Sequence, residues 1–266
     1  MELIAKISKG TLMDQVYLPK NRTSLPTGSY VILKPLASLI QKEEKITLNF
    51  HGIKKIEPIK LEILDKIIRT IKKNVQNYQN IIITGSFLNK GFNFNDLDIL
   101  LISDYPISTE SLSKTLDTQI GIKMHILSIS NKELLEGLNS DPLYELMLSE
   151  CISERKFIYK THKNPNYKLL DLHLLNSKVI IDNFDILNGK DKYNLTRNLI
   201  AIKLFLENKR LNQKMLTNFI IKEFDLSGIN NLKENTLNKN AFLEKFKEIY
   251  QKLFNRIIQE VSNDSK

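Results

Sequence analysis

Tryptophan is absent and cysteine occurs once, at Cys151. A single thiol excludes an internal disulfide and any cysteine-based zinc cluster within one chain. The four histidines are scattered, without close ligand spacing. No apolar stretch approaches the ~20 residues needed to span a bilayer, so no membrane partner is expected. The opening MELIAKISKG lacks the apolar core of a secretory signal, and a cytoplasmic location is the expectation. Internal repeats, heptad runs and long low-complexity segments are also missing. What remains is an ordinary globular composition, 42% hydrophobic and 26% charged, over 266 residues. That length allows one large domain or two to three small ones.

The net charge of +9 is unevenly spread. Residues 1–80 carry 14 Lys and Arg against 7 Asp and Glu, a balance of +7. Residues 81–150 carry 4 Lys against 10 acidic residues, −6. Residues 151–266 carry 21 basic against 13 acidic residues, +8. Basic flanks of this kind attract a polyanion such as RNA or DNA, or are simply solvated lysine surface.

The acidic segment contains the most informative stretch, IIITGSFLNKGFNFNDLDILLI at 81–102. Ile81–Ile83 reads as a buried strand. Gly85-Ser86 breaks it, and nine residues rich in Asn and Gly follow, which is turn chemistry. Asp96-Leu97-Asp98 then leads directly into Ile99–Ile102. Alternation along a strand puts Asp96 and Asp98 on one face, with Leu97 pointing into the core. Two carboxylates on one face repel unless a cation neutralises them, and hard oxygen ligands favour Mg²⁺ or Mn²⁺. Gly85 permits close backbone approach, and backbone N–H groups of such a turn form an anion-binding nest suited to phosphates. The plainer alternative is an Asx-rich hairpin turn between two core strands.

Strand, Gly-Ser, nine-residue spacer, D-x-D, strand resembles the nucleotidyltransferase superfamily of DNA polymerase beta type in its minimal form, over about residues 58–160. The resemblance implies that Gly85 and Ser86 bind the triphosphate of an NTP and that Asp96 and Asp98 bind Mg²⁺. The family adds a third carboxylate from a later strand. Here that strand is Ile122–Leu127, and its acidic slot holds His125. A histidine there serves as a base or metal ligand, or marks weakened catalysis.

Residues 1–36 read as a small β unit, with strands expected at 3–7, 16–18 and 30–33. Ser8-Lys9-Gly10, Leu18-Pro19-Lys20 and Pro26-Thr27-Gly28 resemble the swapped-hairpin family of AbrB type. That resemblance implies a homodimer with exchanged hairpins, and DNA contacts from Lys6, Lys9, Lys20 and Arg22. The short Asn21–Ser24 and the Ser29 after the turn glycine depart from the family pattern.

Elsewhere a strand is expected at 45–50. Pro58 opens a helix over 58–77, with Ile59, Ile63, Ile67, Ile71 and Val75 inward and Lys60, Lys66, Arg69, Lys72 and Lys73 on its other faces. A helix is expected at 108–118. Ser130 and Glu133 form a capping box for a helix at 130–139, and Asp141-Pro142 starts another through DPLYELMLSECI. Phe157–Tyr159 is expected to close the sheet. Helices are expected at 168–187, 193–208, 212–224 and 239–262. Tyr193, Arg197 and Lys203 share the second of these. The fold class is therefore α/β (α+β): a mixed sheet flanked by helices at 37–163, preceded by the β unit at 1–36 and followed by a helical domain at 164–266. The function that follows is metal-dependent transfer of a nucleoside monophosphate from an NTP to a hydroxyl of RNA, protein or a small molecule. The alternative is a DNA-binding or antitoxin-like regulator with a degenerate transferase core.

Overall fold

The computed structural model describes residues 7–18, 31–33, 46–159 and 162–263. The chain forms two compact units, Met1–Lys45 and Ile46–Lys266. In the first, β1 (Ile7–Ser8) and β2 (Gln15–Val16) pair as an antiparallel hairpin with Ile7 opposite Val16. Residues 31–33 form no strand, unlike the expectation for 30–33. Pro19, Lys20, the 26–28 turn and Tyr30 lie outside the described residues.

The second unit is α+β, with a five-stranded mixed sheet. Its strands are β3 (Asn49–His51), β4 (Asn80–Thr84), β5 (Asp96–Ile102), β6 (Lys123–Ile129) and β7 (Cys151–Ser153), in the spatial order β3-β7-β4-β5-β6. β5 and β6 are parallel and the other pairs antiparallel. The helix expected to run through Ile152 stops at Ser149, and Cys151–Ser153 inserts between β3 and β4. All three of its residues are buried, so a short run with no alternation serves as an interior strand. Phe157–Tyr159 forms no strand.

The alternating residues of the strands feed two cores. Leu97, Ile99 and Leu101, with Ile81, Ile83 and Met124, pack against α1 (Pro58–Asn74) and α2 (Thr109–Ile120). Ile82, Leu100 and Ile102 pack against α3 (Asn131–Ser140) and α4 (Pro142–Ser149). The Ser130–Glu133 capping box closes reciprocally, and Asp141 caps α4 ahead of Pro142.

The helical part comprises α5 (Tyr167–Asp182), α6 (Gly189–Leu206), α7 (Gln213–Glu223), α8 (Ile229–Lys233) and α9 (Lys239–Asn263). Asparagine punctuates it. Asn166, Asn188 and Asn212 cap the starts of α5, α6 and α7 by accepting a backbone N–H at the third helical residue. Asn208 and Asn235 take positive φ just beyond α6 and α8, a conformation this side chain tolerates. A third core of Leu, Ile, Phe and Tyr side chains fills this part, centred on α6 and α9. No described helix is long and apolar enough to cross a membrane.

Lys60 departs from its expected exposed position on α1: it is fully buried. Its ammonium lies 3.0 Å from Glu57, donates to the Asn89 carbonyl, and sits 5.5 Å from the ring centroids of Phe87, Phe92 and Phe94. Glu57 also accepts from Gly91 N–H at 2.6 Å. The start of α1 thus clamps the loop between Gly85-Ser86 and Asp96. The Gly91 bond, then Lys60, pulls the Glu57 carboxyl down to about 2 from 4.5. A lowered carboxylate pKa contributes stability that is complete above 4.5 and is lost as pH falls toward about 2. Glu57→Gln is expected to flatten the acid limb of stability in that window, read by urea titration at several pH values. Lys60→Met leaves Glu57 and the Asn89 carbonyl without their cation, so a lower urea midpoint is expected in the same titration.

Candidate functional site

The site is built at the end of the sheet where β4 finishes and β5 begins. Gly85 and Ser86 follow β4 directly, and Ser86 starts a 3₁₀ turn, Ser86–Leu88. Gly85 has φ +83°, and a Cβ there would overlap the Asp98 carboxylate. Glycine is needed twice over: for the backbone conformation, and because Asp98 occupies the space of a side chain.

Asp96 and Asp98 point to the same side of β5, while Leu97 between them is buried against α1 and α2. They continue the face that carries Leu100 and Ile102, but beyond the cover of α3 and α4. Parallel pairing of β5 with β6 sets Asp98 opposite His125 and Asp96 opposite Lys123. The His125 Nδ1 therefore lies 3.6 Å from Asp96 Oδ2 and 3.5 Å from Asp98 Oδ1. The alternation that buries Met124 leaves His125 and Leu127 exposed on that same face.

Burial, then repulsion from Asp96, raises the Asp98 pKa; attraction to His125 opposes the shift without cancelling it. A carboxylate in this position is short of positive charge. One ligand atom from each of Asp96, Asp98 and His125 falls within 4.8 Å of the others. The carboxylate–imidazole separations slightly exceed the ~3 Å between adjacent ligands of an octahedral cation with bonds of ~2.1 Å, so a small inward movement suffices. The residues present fit a divalent cation. Two carboxylate oxygens suit a hard divalent cation, and the imidazole adds a softer nitrogen ligand.

All five residues singled out in the sequence, Gly85, Ser86, Asp96, Asp98 and His125, line a single cleft of about 1530 Å³. The cleft continues onto Glu150 and onto the helical part through Lys190, Tyr193, Asn194, Arg197, Gln213 and Lys233. Burial raises the Glu150 pKa and lowers that of Arg197. Tyr193 is buried and its hydroxyl accepts from Gln213 Nε2 at 2.6 Å. Lys203, on the same helix, turns away from the cleft and pairs with Glu223 at 2.9 Å. Lys190, Gln213 and Lys233 were not marked by the sequence pattern around the Gly-Ser turn. The signal for α6 was the spacing of Lys190, Tyr193, Asn194 and Arg197, a polar i, i+3, i+4, i+7 stripe.

No protein-family model and no curated protein matches the chain. A chain from the solved complex of the tri-AMPylated Shewanella oneidensis HEPN toxin with the MNT antitoxin is similar over 36% of this chain and 72% of that one, at 12% identity and a TM-score of 0.27. A likeness this distant bears on neither fold nor chemistry.

Proposed function

We propose that the chain is a metal-dependent nucleotidyltransferase, moving a nucleoside monophosphate from an NTP to a hydroxyl acceptor. The observation that carries this reading is the convergence of Asp96, Asp98 and His125 beside the Gly85-Ser86 turn, at the open end of one sheet. Asp96 and Asp98 would hold Mg²⁺ or Mn²⁺. The bound cation would supply charge neutralisation and in-line orientation of the NTP phosphates. Gly85 supplies the turn, and Ser86 would offer its N–H and hydroxyl to the β and γ phosphates. His125 faces both carboxylates and would either ligate the cation or, left unligated, take the proton of the acceptor hydroxyl. The hydroxyl oxygen bonds to the α-phosphorus, the bond to the bridging oxygen breaks, and pyrophosphate leaves.

This reading divides the chain into a swapped-hairpin unit at 1–36, a transferase core at 37–163 and a helical domain at 164–266. The β1–β2 hairpin supports the first part, which would make the protein a homodimer and could add DNA contacts. Deleting residues 1–36 is expected to give a monomer that still binds NTP; a truncated protein that sediments as a dimer rejects that role.

Asp96→Asn and Asp98→Asn are each expected to abolish Mg²⁺- or Mn²⁺-dependent label transfer from NTPs to total RNA or lysate, without unfolding the chain. Turnover kept within about tenfold, which is ~1.4 kcal/mol of barrier, rejects the reading. DNA retention that weakens with salt, with no transfer by the wild type, favours the regulator instead. Stability should move the other way. The raised Asp98 pKa marks an ionised form disfavoured by folding, so the metal-free protein gains stability as pH falls through the folded value. Asp98→Asn should accordingly raise the metal-free Tm at neutral pH. Mn²⁺ at about a hundred times its Kd should stabilise the wild type by about 2.7 kcal/mol and leave Asp98→Asn unchanged.

His125 has its own test. A cation drawing on the imidazole must displace any proton there, so wild-type metal affinity is expected to rise with pH. His125→Ala should flatten that dependence, and His125→Asp should keep or raise Mg²⁺-dependent activity. Mn²⁺ titrations at several pH values decide it: an unchanged profile in His125→Ala removes this residue from the site.

A further inference from the structure

The cleft is larger than the metal cluster and one nucleotide require. Small-ligand sites commonly occupy about 300–1,000 Å³, whereas this cleft holds about 1530 Å³. The charged residues that the helical part contributes to the lining, Lys190, Arg197 and Lys233, are all basic, whereas Glu110, Asp117 and Glu150 lie on the sheet side. On α6, Lys190, Tyr193, Asn194 and Arg197 fall on one helical face and all line the cleft. Apart from Lys203, the C-terminal half of the same helix is apolar and buried, from Leu199 to Leu206. Polar side chains on a central helix of a domain need a reason, and here they face the cleft.

Three cations stand in this lining: Lys190, Arg197 and Lys233. None makes an ion pair with a described carboxylate. Arg197 donates through Nε and Nη2 to Asn198 Oδ1, at 3.3 and 3.1 Å, leaving further N–H donors free. Burial disfavours the charged form of this guanidinium, and Tyr193 beside it offsets the effect only in part. Lys233 lies 4.5 Å from the Tyr193 ring centroid, and the Gln213 bond fixes that ring. Gly189 brings the two helices this close: a Cβ at that position would overlap the backbone carbonyl of Lys233. Some lysines of the helical part that lie outside the cleft are paired, as Lys203 with Glu223 and Lys239 with Asp185. On the sheet side of the cleft Lys114 pairs with Glu110 at 2.7 Å, and Asp117 and Glu150 add two further carboxylates.

We infer that this lining binds a phosphate group of the hydroxyl-bearing acceptor, so that the acceptor is a phosphorylated molecule rather than an unmodified protein. The inference rests on the transferase reading only in naming the ligand an acceptor. The NTP phosphates belong, on that reading, to Gly85-Ser86 and the carboxylate pair. An arginine with a planar set of unused donors, flanked by two lysines, matches a second, separate phosphate. The chemistry is shared by two sources, the terminal nucleotide of an RNA and a small phosphorylated sugar.

The test is binding to the full chain without metal or NTP, so the result does not depend on turnover. The probes are a fluorescent single-stranded RNA of about ten nucleotides with a free 3′-hydroxyl, a length within the usual single-strand site size, and ribose 5-phosphate as competitor. The variants are Arg197→Gln and the exposed pair Lys190→Gln/Lys233→Gln, the second guarding against misfolding of the first. Each variant is expected to weaken RNA binding about tenfold and to reduce its salt slope by about one per lost phosphate contact. Binding of a fluorescent NTP with Mn²⁺ should stay unchanged. Displacement of RNA by ribose 5-phosphate that is lost in the variants assigns a small phosphorylated acceptor; RNA binding that ribose 5-phosphate does not displace assigns an RNA end. The proposal is overturned if wild type binds neither probe, if both variants bind like wild type, or if NTP binding falls in step with RNA binding, which would make the lining part of the triphosphate site.

Discussion

Two carboxylates forced onto one side of a strand are the constraint around which the molecule is arranged. Asp96 and Asp98 share a face because β5 alternates, and β5 cannot slip by one residue without turning Leu97, Ile99 and Leu101 out of their core. The hydrophobic side of the strand thus fixes its charged side. The parallel neighbour obeys the same rule: Met124 buried means His125 presented. The antiparallel neighbour ends at Thr84, opposite Asp98, so that Gly85 must turn where the carboxylate already stands. Apolar packing, which knows nothing of chemistry, sets the distances among the polar groups.

Much of this was legible in the sequence because it is local. Gly-Ser, the spacer and Asp-Leu-Asp lie within one hairpin, and alternation places their side chains without reference to any other segment. The position of His125 was legible as a slot in a later strand, but its distance from the aspartates depended on register, which the pattern left open. The parts that were not legible are non-local. Cys151–Ser153 is too short to show a period, and it becomes an interior strand only because β3 and β4 stand on either side of it. Lys60 reads as one more lysine on a basic helix. Its burial follows from Phe87, Phe92 and Phe94, apolar residues in a turn where polar ones are usual. Those three rings were the available signal.

Asparagine in the helical part is structural by position. The side chain that caps a helix start by accepting an N–H also tolerates positive φ at a helix end. The helical part uses it for both, at Asn166, Asn188 and Asn212 and at Asn208 and Asn235. Short connections between α6, α7 and α8 follow, and they bring Lys233 back over Tyr193.

The two linings of the cleft are held to one another by α4. Leu148 packs in the core beneath the sheet, whereas Leu146 of the same helix packs in the helical core. Asp141 caps α4 through one carboxylate oxygen and meets His173 of α5 through the other, at 3.1 Å. Glu145 accepts from the Leu211 backbone N–H at 2.9 Å and pairs with Lys163 at 3.4 Å. α4 thus packs into both cores, with Tyr144 and Met147 beside Leu148 on the sheet side, and its carboxylates are tied to segments of the helical part. The acidic and basic linings are joined through this one helix. A preorganised cleft spends little ligand affinity on closing. The mutual repulsion of Asp96 and Asp98 lies within β5 and does not depend on how the linings are joined. Neutralising charge, from a cation or from a proton on Asp98, is what remains to relieve it.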